Sequence, residues 1–553
     1  ETYYVAQKVA RLLGTNHIDN SARVCHAPST VALKQSIGHA ATTCSYRDVI
    51  GSDLVVFIGS DAANNQPVMM KYIHLAKKQG TRIAIINPFR EPGLEKYWVP
   101  SNVHSMLFGT TVGDAFFPIN VGGDIAFIQG VLKHLIAHDW IDEGFISRHT
   151  VGWEELVQAL EKLSFEELES HSGATPETML EFAKLYAGAR TAIFIWSMGV
   201  TMHRHGVSNV KAIANCALAR GNVGRPRTGL MAIRGHSGVQ GGSEMGCVPN
   251  QYPGGLVAGA EGAHRLKELW GFEVPTWKGY FVAEMVEAAS RGKIDTLYCV
   301  GSNLLGVLPD SRFVRKALER IPLRIHHDIV LNPQMLVPAT ETVLILPATT
   351  RYEMVGGGTE TSTERRVIFN PEIPGPRITQ AGDEWRFLME LAKRVRPELA
   401  DKIHFDSTPA IRREIARVIP LYDGIQSLQK KGDQFQWGGS LLASKGRFGF
   451  PDGRARFSVV DSPQRKLSAG HFQLSTRRGK QFNSMVFGKE DMLLGAVRDR
   501  VILCEEDMGR LQLKEGDRVL VRSETGEFRG HTQKGPIQPG TVMMYWPEAN
   551  VLI

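Results

Sequence analysis

A multidomain α/β protein closed by a C-terminal β-barrel domain of double-psi type is the fold class this sequence predicts, and three observations predict it. From Asp53 to Pro88 a buried strand (DLVVFIGS), a polar loop (DAANNQP), a helix (MMKYIHLAKKQ) ending at Gly80 and a second buried strand (RIAIINP) follow one another, which is a βαβ unit. The same order recurs from Asp295, with strand TLYCVGSN, helix SRFVRKALERI, strand LRIHHDIVLNP and a further strand TVLILPA. From about His471 the pattern changes to short strands with turn signals at Gly516-Asp517 and Thr525-Gly526. With 553 residues, 43% hydrophobic and 22% charged, the chain can bury several cores.

The VFIGSD and YCVGSN turns stand at equivalent points of two related Rossmann-like α/β domains. A third strand-to-loop crossing, IFIWSMGVTMHRHG, leads into the helix VSNVKAIANCALARGN, which Gly221 is expected to terminate. The boundaries that follow are a first α/β domain over 21–240 and a second built from 1–20 with 241–425. A linker over 426–470, rich in Gly, Lys and Ser, leads to a C-terminal β domain over 471–553. Glu1 enters the helical pattern YYVAQKVARLLG directly and the last residues, MMYWPEANVLI, are apolar, so both ends read as cut from a longer chain. Any export signal would precede Glu1, and cytoplasm is the default compartment.

Net charge +7 and pI near 9.0 are modest for this length, and no block of Lys and Arg is interleaved with aromatics. Nucleic-acid binding is therefore disfavoured, while small anionic substrates and phosphate-bearing cofactors would be attracted. The six cysteines are scattered with no CxxC, which argues against a disulfide scaffold and against a cysteine-ligated iron-sulfur cluster within these residues. No apolar run approaches the length of a membrane span.

Three segments carry chemistry. In ARVCHAPSTVALKQSIG, Cys25 offers a soft metal ligand and His26 a proton carrier beside it, although a lone Cys-His pair is more often structural. The turn at Gly59 ends a strand and precedes a helix, so its amides could cradle a phosphate; it lacks GxGxxG, which disfavours nicotinamide. In RTGLMAIRGHSGVQGGSEMGCVPNQYPGG, Gly235, Gly238, Gly241 and Gly242 permit close backbone approach, and Arg234 offers a planar donor fork for a carboxylate.

Together these segments resemble the catalytic (alpha) subunits of formate dehydrogenases, in the molybdopterin oxidoreductase superfamily. Cys25 stands where that family has the Cys or selenocysteine that ligates molybdenum or tungsten. The Gly-rich run is similar to NPxRGQNNVQGAxDMGxxPxxYPG, which makes Arg234 the substrate-orienting arginine. His236 replaces the usual Gln, as in a formate-dehydrogenase-like alpha-subunit group that shares RGHSxVQG. VGGGTETSTERRV resembles EGTFTNTERRVQ, in which Thr and Glu lie near the cofactor and the paired arginines fix the loop. LSTRRGKQFNSMVF and WPEANVL resemble the opening and closing segments of the molydopterin dinucleotide-binding module.

The resemblance implies a molybdopterin oxidoreductase fold holding a bis-molybdopterin guanine dinucleotide (bis-MGD) cofactor with Mo or W, with Cys25 as the protein ligand to the metal. Catalytic roles fall to Cys25, His26 as proton relay, Arg234 and His236. In the first α/β domain cofactor contacts fall on Gly59, Ser60, Asp61, Asn64, Asn87, Pro88, Gly123, Asp124, Met198, Gly199, Gly235 and Gln240. Beyond it they fall on Gly241, Thr359, Thr361, Glu364, Thr476, Arg477, Asn483 and Asn550. The expected substrate is formate, oxidised to CO2, with electrons leaving to a partner subunit or domain. A 4Fe-4S cluster is expected only in a region before Glu1. Two alternatives are another small oxoanion or aldehyde as substrate, for which His236 is the motive, and a cofactor-less scaffold subunit.

Overall fold

The computed structural model describes residues 1–236, 238–464, 467–479 and 488–553. Helix α1 (Thr2–Leu12) opens the chain, and α2 (Ala27–Ile37) follows the Cys25 turn. Five parallel strands then build a sheet of order β3-β2-β1-β4-β5, from β1 (Leu54–Ile58), β2 (Arg82–Asn87), β3 (Ala115–Pro118), β4 (Ala192–Trp196) and β5 (Gly229–Ala232). β1 and β4 are buried along their whole length, which is why they read as unbroken apolar runs. Helix α3 (Pro67–Lys78) joins β1 to β2; Pro67 starts it, Lys77 and Lys78 complement its C-terminal dipole, and Met69, Met70, Ile73 and Ala76 form its buried stripe. Helices α4 (Asp124–Ala137) and α5 (Gly206–Ala219) pack in the other core of this sheet, and Gly221 follows α5 at φ +58°.

A second, smaller parallel sheet runs β6 (Thr296–Val300), β7 (Leu323–Asp328), β8 (Thr342–Pro347), with helix α6 (Ser311–Glu319) in its crossover. The region 241–425, expected as one α/β domain with residues 1–20, contains two cores. One surrounds this sheet and α6; the other joins α1 to residues from Met245 to Leu442 and includes the antiparallel strands β9 (Gly358–Thr361), β10 (Arg366–Asn370) and β11 (Gln434–Gln436).

The expected linker, 426–470, is also corrected: it is no free spacer. β11 pairs with β10 inside it, and Phe448, Ala455 and Phe457 are buried in the core of the first sheet. Its Gly-rich composition reflects tight turns between packed residues. The C-terminal unit is a mixed sheet of order β12-β16-β13-β15-β14, from β12 (Gln473–Arg477), β13 (Arg500–Leu503), β14 (Arg518–Arg522), β15 (Glu527–Lys534) and β16 (Thr541–Tyr545). Among the described residues no strand pairing joins β12 to β14.

Candidate active site at the carboxyl edge of the first sheet

The site grows from the carboxyl ends of β1, β4 and β5, and the strand order reverses between β1 and β4. Gly59 leaves β1 at φ +54° and its N–H donates to the Ile86 carbonyl at 3.2 Å. A Cβ on Gly59 would lie 2.7 Å from the Val200 nitrogen, and one on Gly199 would lie 2.7 Å from the Gly59 oxygen. Two turns thus cross backbone to backbone, and both positions require glycine. Asn87 braces this crossing: its Oδ1 accepts from the Ser60 N–H at 3.1 Å and its Nδ2 donates to the Ser60 carbonyl at 2.8 Å. The Ser60 hydroxyl meets that of Ser197, beside Met198, at 2.9 Å. The Pro88 carbonyl accepts the Gln538 N–H at 3.1 Å, which ties the C-terminal unit to this edge.

Cys25 lies at the end of the short turn Ser21–Val24, buried, with its carbonyl accepting from Thr201 Oγ1 at 2.7 Å. Burial pushes its thiol up from the ordinary value, and the guanidinium groups of Arg234 and then Arg478 pull it back. A bound soft cation would add to that pull. His26 is fully enclosed. Its Nε2 lies 3.0 Å from the Ile233 carbonyl, which can only accept, so Nε2 carries the proton. Its Nδ1 accepts from Ser29 Oγ at 3.0 Å, and that hydroxyl accepts from Trp196 Nε1 at 2.9 Å. Desolvation, with the Arg234 charge second, lowers its pKa to about 3. In this arrangement both ring nitrogens of His26 are engaged, and the ring holds the Cys25 turn against the residue that follows β5.

Arg234 follows β5 and is buried; its backbone N–H donates to Thr363 Oγ1 at 2.9 Å. Thr361 braces the next turn, accepting the Gly241 N–H on its hydroxyl and the Gly238 N–H on its carbonyl, both at 2.9 Å. The expectation that the paired arginines fix this loop holds. Arg365 is wholly buried and donates to the carbonyls of Thr42, Trp437, Gly439 and Ser440, while Arg366 pairs with Glu364 at 2.6 Å. Glu364 also accepts the Tyr46 N–H, and Thr359 donates its N–H and hydroxyl to Glu1. Both side chains thus already hold protein partners. A Cβ on Gly235 would meet only Asn65 and Gln66, at ordinary contact distance, and Gln240 donates to Glu244 at 2.8 Å. Gly123 is bare because a Cβ would meet Ser172 at 2.8 Å; Asp124 beside it is buried, which raises its pKa to about 6. Desolvation and then the Arg478 charge lower the pKa of His236.

Arg477 from β12 reaches Asp61 (3.3 Å), Glu91 (3.0 Å) and Asp491 (3.4 Å) through one nitrogen, so three carboxylates share one cation. Burial first, then the neighbouring Asp61 charge, raises Glu91 to about 8. Asn64 donates to Asp61 at 2.8 Å, which brings the Gly59 turn and the C-terminal unit into one buried cluster. Asn550 donates to the Gly306 carbonyl at 2.9 Å, just past the corresponding turn of the second sheet. Thr476 is exposed on β12, and Asn483 lies outside the described residues. Sequence reasoning missed Thr201, Thr363 and Arg478. Only Arg478 left a signal, as the second half of an Arg-Arg pair at the point where β12 ends.

The sequence profile of the molybdopterin oxidoreductase family matches residues 1–394. The chain belongs to this family. The profile of the molydopterin dinucleotide binding domain matches residues 472–553 of the same oxidoreductase. Among curated relatives, the alpha subunit of F420-dependent formate dehydrogenase 2 from Methanococcus maripaludis is 30% identical over 553 residues, covering 95% of this chain and 76% of that protein. Formate dehydrogenase H of Escherichia coli is 28% identical over 568 residues, covering 99% and 76%. Protein YdeP of Escherichia coli is also 28% identical, over 590 residues, covering 100% and 76%. The solved structure of acetylene hydratase from Pelobacter acetylenicus shares the fold at TM-score 0.70 and 15% identity, over 98% of this chain and 77% of that one.

The residues present fit a molybdopterin dinucleotide. Buried polar atoms without a protein partner gather here: Asp61 Oδ1, Asn64 Oδ1, Gln66 Oε1, Gln240 Oε1, Arg234 Nε and Arg477 Nε. Each such atom costs about 1–3 kcal/mol unless a ligand or water meets it. Among the described residues no group of three or more His, Cys, Asp or Glu could hold a metal by itself, and no helix is long and apolar enough to cross a membrane.

Proposed function

We propose that this oxidoreductase is the catalytic core of a molybdenum- or tungsten-dependent formate dehydrogenase, with a bis-MGD cofactor gripped between the two parallel sheets and the C-terminal unit. The observation that carries the reading is the buried Arg234 guanidinium, its Nε unpartnered, directly after Ile233, whose carbonyl holds His26 and with it the Cys25 turn at the carboxyl edge of the first sheet. When bound, the metal and its pterin sulfurs supply the two-electron redox step; Cys25 would give the one protein ligand. Arg234 holds the formate carboxylate through its planar fork and fixes which way the C–H bond points. His26, locked by Ser29 and Ile233, keeps the Cys25 turn rigid and adds no charge to it. Conversion of formate to CO2 releases one proton and two electrons. The relatives named as alpha subunits support a partner that takes the electrons.

The deciding experiment measures metal and pterin in the purified protein, then formate-dependent dye reduction in wild type, Cys25→Ala and Arg234→Lys. The expected result is one metal and two pterins per chain, no turnover without Cys25, and a large loss of formate use with a point charge at 234. Near-normal formate oxidation by Cys25→Ala would sink the reading; metal without formate activity would move it to another small oxoanion.

A further inference from the structure

The backbone of Cys25 is neither helical nor extended, at φ −144° and ψ −95°, and its two flanking peptide groups are held from different places. On the amino side its N–H donates to the Ala22 carbonyl at 3.2 Å, closing the short turn Ser21–Val24. On the carboxyl side its carbonyl accepts from Thr201 Oγ1 at 2.7 Å, across 176 residues of chain. Because φ and ψ are the only soft backbone angles of a residue, the two peptide planes fix the direction of its Cα–Cβ bond. The path of the Cys25 side chain out of the backbone is therefore set on one side by its own turn and on the other by a hydroxyl from the loop after β4. That loop is itself anchored on the Gly59 turn. The one-turn helix Met198–Thr201 follows Ser197, whose N–H donates to the Ile58 carbonyl at 3.4 Å, and the Gly199 N–H donates to the Gly59 carbonyl at 3.1 Å. From the other side Asn209 on α5 donates to the Val200 carbonyl at 2.9 Å, and a Cβ on Gly206 would strike the Thr201 carbonyl. Thr201 and Cys25 are 2% and 7% exposed, so water is poorly placed to replace the bond between them.

We propose that Thr201 is the positioning residue for the protein ligand of the metal: its hydroxyl ties the Cys25 carbonyl to the loop that braces the Gly59 turn, and so fixes the sulfur relative to the dinucleotide cradle. The inference rests on the reading of Cys25 as metal ligand and deepens it by naming what keeps that ligand in register. The His26 ring, held by Ser29 and Ile233, anchors the turn one residue further on, whereas Thr201 acts on the ligand's own carbonyl. Without the hydroxyl that carbonyl loses its donor in a buried place, and the peptide group between Cys25 and His26 turns to find another. A misplacement of about 1 Å in a group that takes part in the reaction can cost about a hundredfold in rate.

The test uses the holoenzyme with Thr201→Val, which keeps the shape and removes the donor, and Thr201→Ser, which keeps the donor. Metal and pterin content, the electron paramagnetic resonance spectrum of the metal after partial reduction with dithionite, and formate kcat and KM are measured on the same samples. For Thr201→Val the expected result is unchanged metal and pterin content, shifted g-values, and a kcat lower by about tenfold to a hundredfold, with KM within about twofold because Arg234 is untouched. Thr201→Ser should return the spectrum and most of kcat. If the valine variant does not fold, Thr201→Ala is read in the same way. A wild-type spectrum and kcat without the hydroxyl overturn the proposal, and so does a fall in kcat in step with loss of metal, which would make Thr201 a residue of cofactor retention. The spectrum needs no substrate, so a shift that serine reverses in an enzyme inactive on formate would uphold the proposal while refuting the formate reading. A spectrum that Cys25→Ala leaves unchanged would refute Cys25 as the ligand, and the proposal with it.

Discussion

The turns at Gly59 and Gly301 share a backbone and differ in their surroundings. Each glycine leaves a parallel strand at nearly the same positive φ, +54° and +57°, and each donates its N–H to the neighbouring strand, to Ile86 at 3.2 Å and to His327 at 2.9 Å. Each is followed by a serine and a one-turn helix, Ala62–Asn65 or Leu304–Val307. A Cβ at Gly59 would strike the Val200 backbone, whereas a Cβ at Gly301 meets nothing within 4 Å. The cause is position: β1 lies between β2 and β4, but β6 is the edge of a three-stranded sheet whose other edge, β8, leaves Leu344 and Ile345 41% and 43% exposed. The same local sequence logic thus yields one turn whose shape neighbours enforce and one that its own backbone must hold. The C-terminal unit touches both, through Arg477 at Asp61 and Asn550 at the Gly306 carbonyl.

The largest effect should come from the clamp on the enclosed turn. Arg477→Gln leaves Asp61, Glu91 and Asp491 without their shared cation, and a loss of about 3–5 kcal/mol is expected in denaturant unfolding. A loss below about 1 kcal/mol would mean that the cluster does not hold the turn. Gly59→Ala should cost about 2–4 kcal/mol, from the positive φ and the clash with Val200 together. Glu91 comes next. Its folded value of about 8 lies above its unfolded value, so its contribution is fully present below the unfolded value and is lost as pH rises through about 8. Glu91→Gln should therefore flatten the stability profile between about pH 5 and 8 and stabilise the protein by about 1–2 kcal/mol at pH 9; a profile that keeps its slope would place the titration elsewhere. The smallest effect is expected at the open turn, where Gly301→Ala meets only the cost of positive φ, about 1–2 kcal/mol. Equal losses at Gly59 and Gly301 would break the comparison.

Much of this architecture is legible in the order of the residues alone. The repeated strand-helix-strand pattern locates β1, α3, β2, where buried parallel strands are apolar throughout and the crossover helix carries one apolar stripe, and the same order locates β6, α6, β7, β8, although β6 and β8 are partly or largely exposed. The Gly-rich run marks the segment bearing Arg234 by the backbone freedom it needs. The packing of 426–470 is not legible, since turn residues look alike in a spacer and in a folded connection.

By itself, then, the sequence determined the family, the strand periods and the residue types placed near Cys25, all of which follow from local chemistry and chain order. Only the tertiary structure decided how these residues are used. It locked His26 between Ser29 and Ile233, engaged Thr359 with Glu1, and sent Arg477 and Arg478 to opposite destinations. Those outcomes depend on partners tens to hundreds of residues away, and a side chain's burial, hydrogen bonds and neighbouring charges exist only once those partners have met.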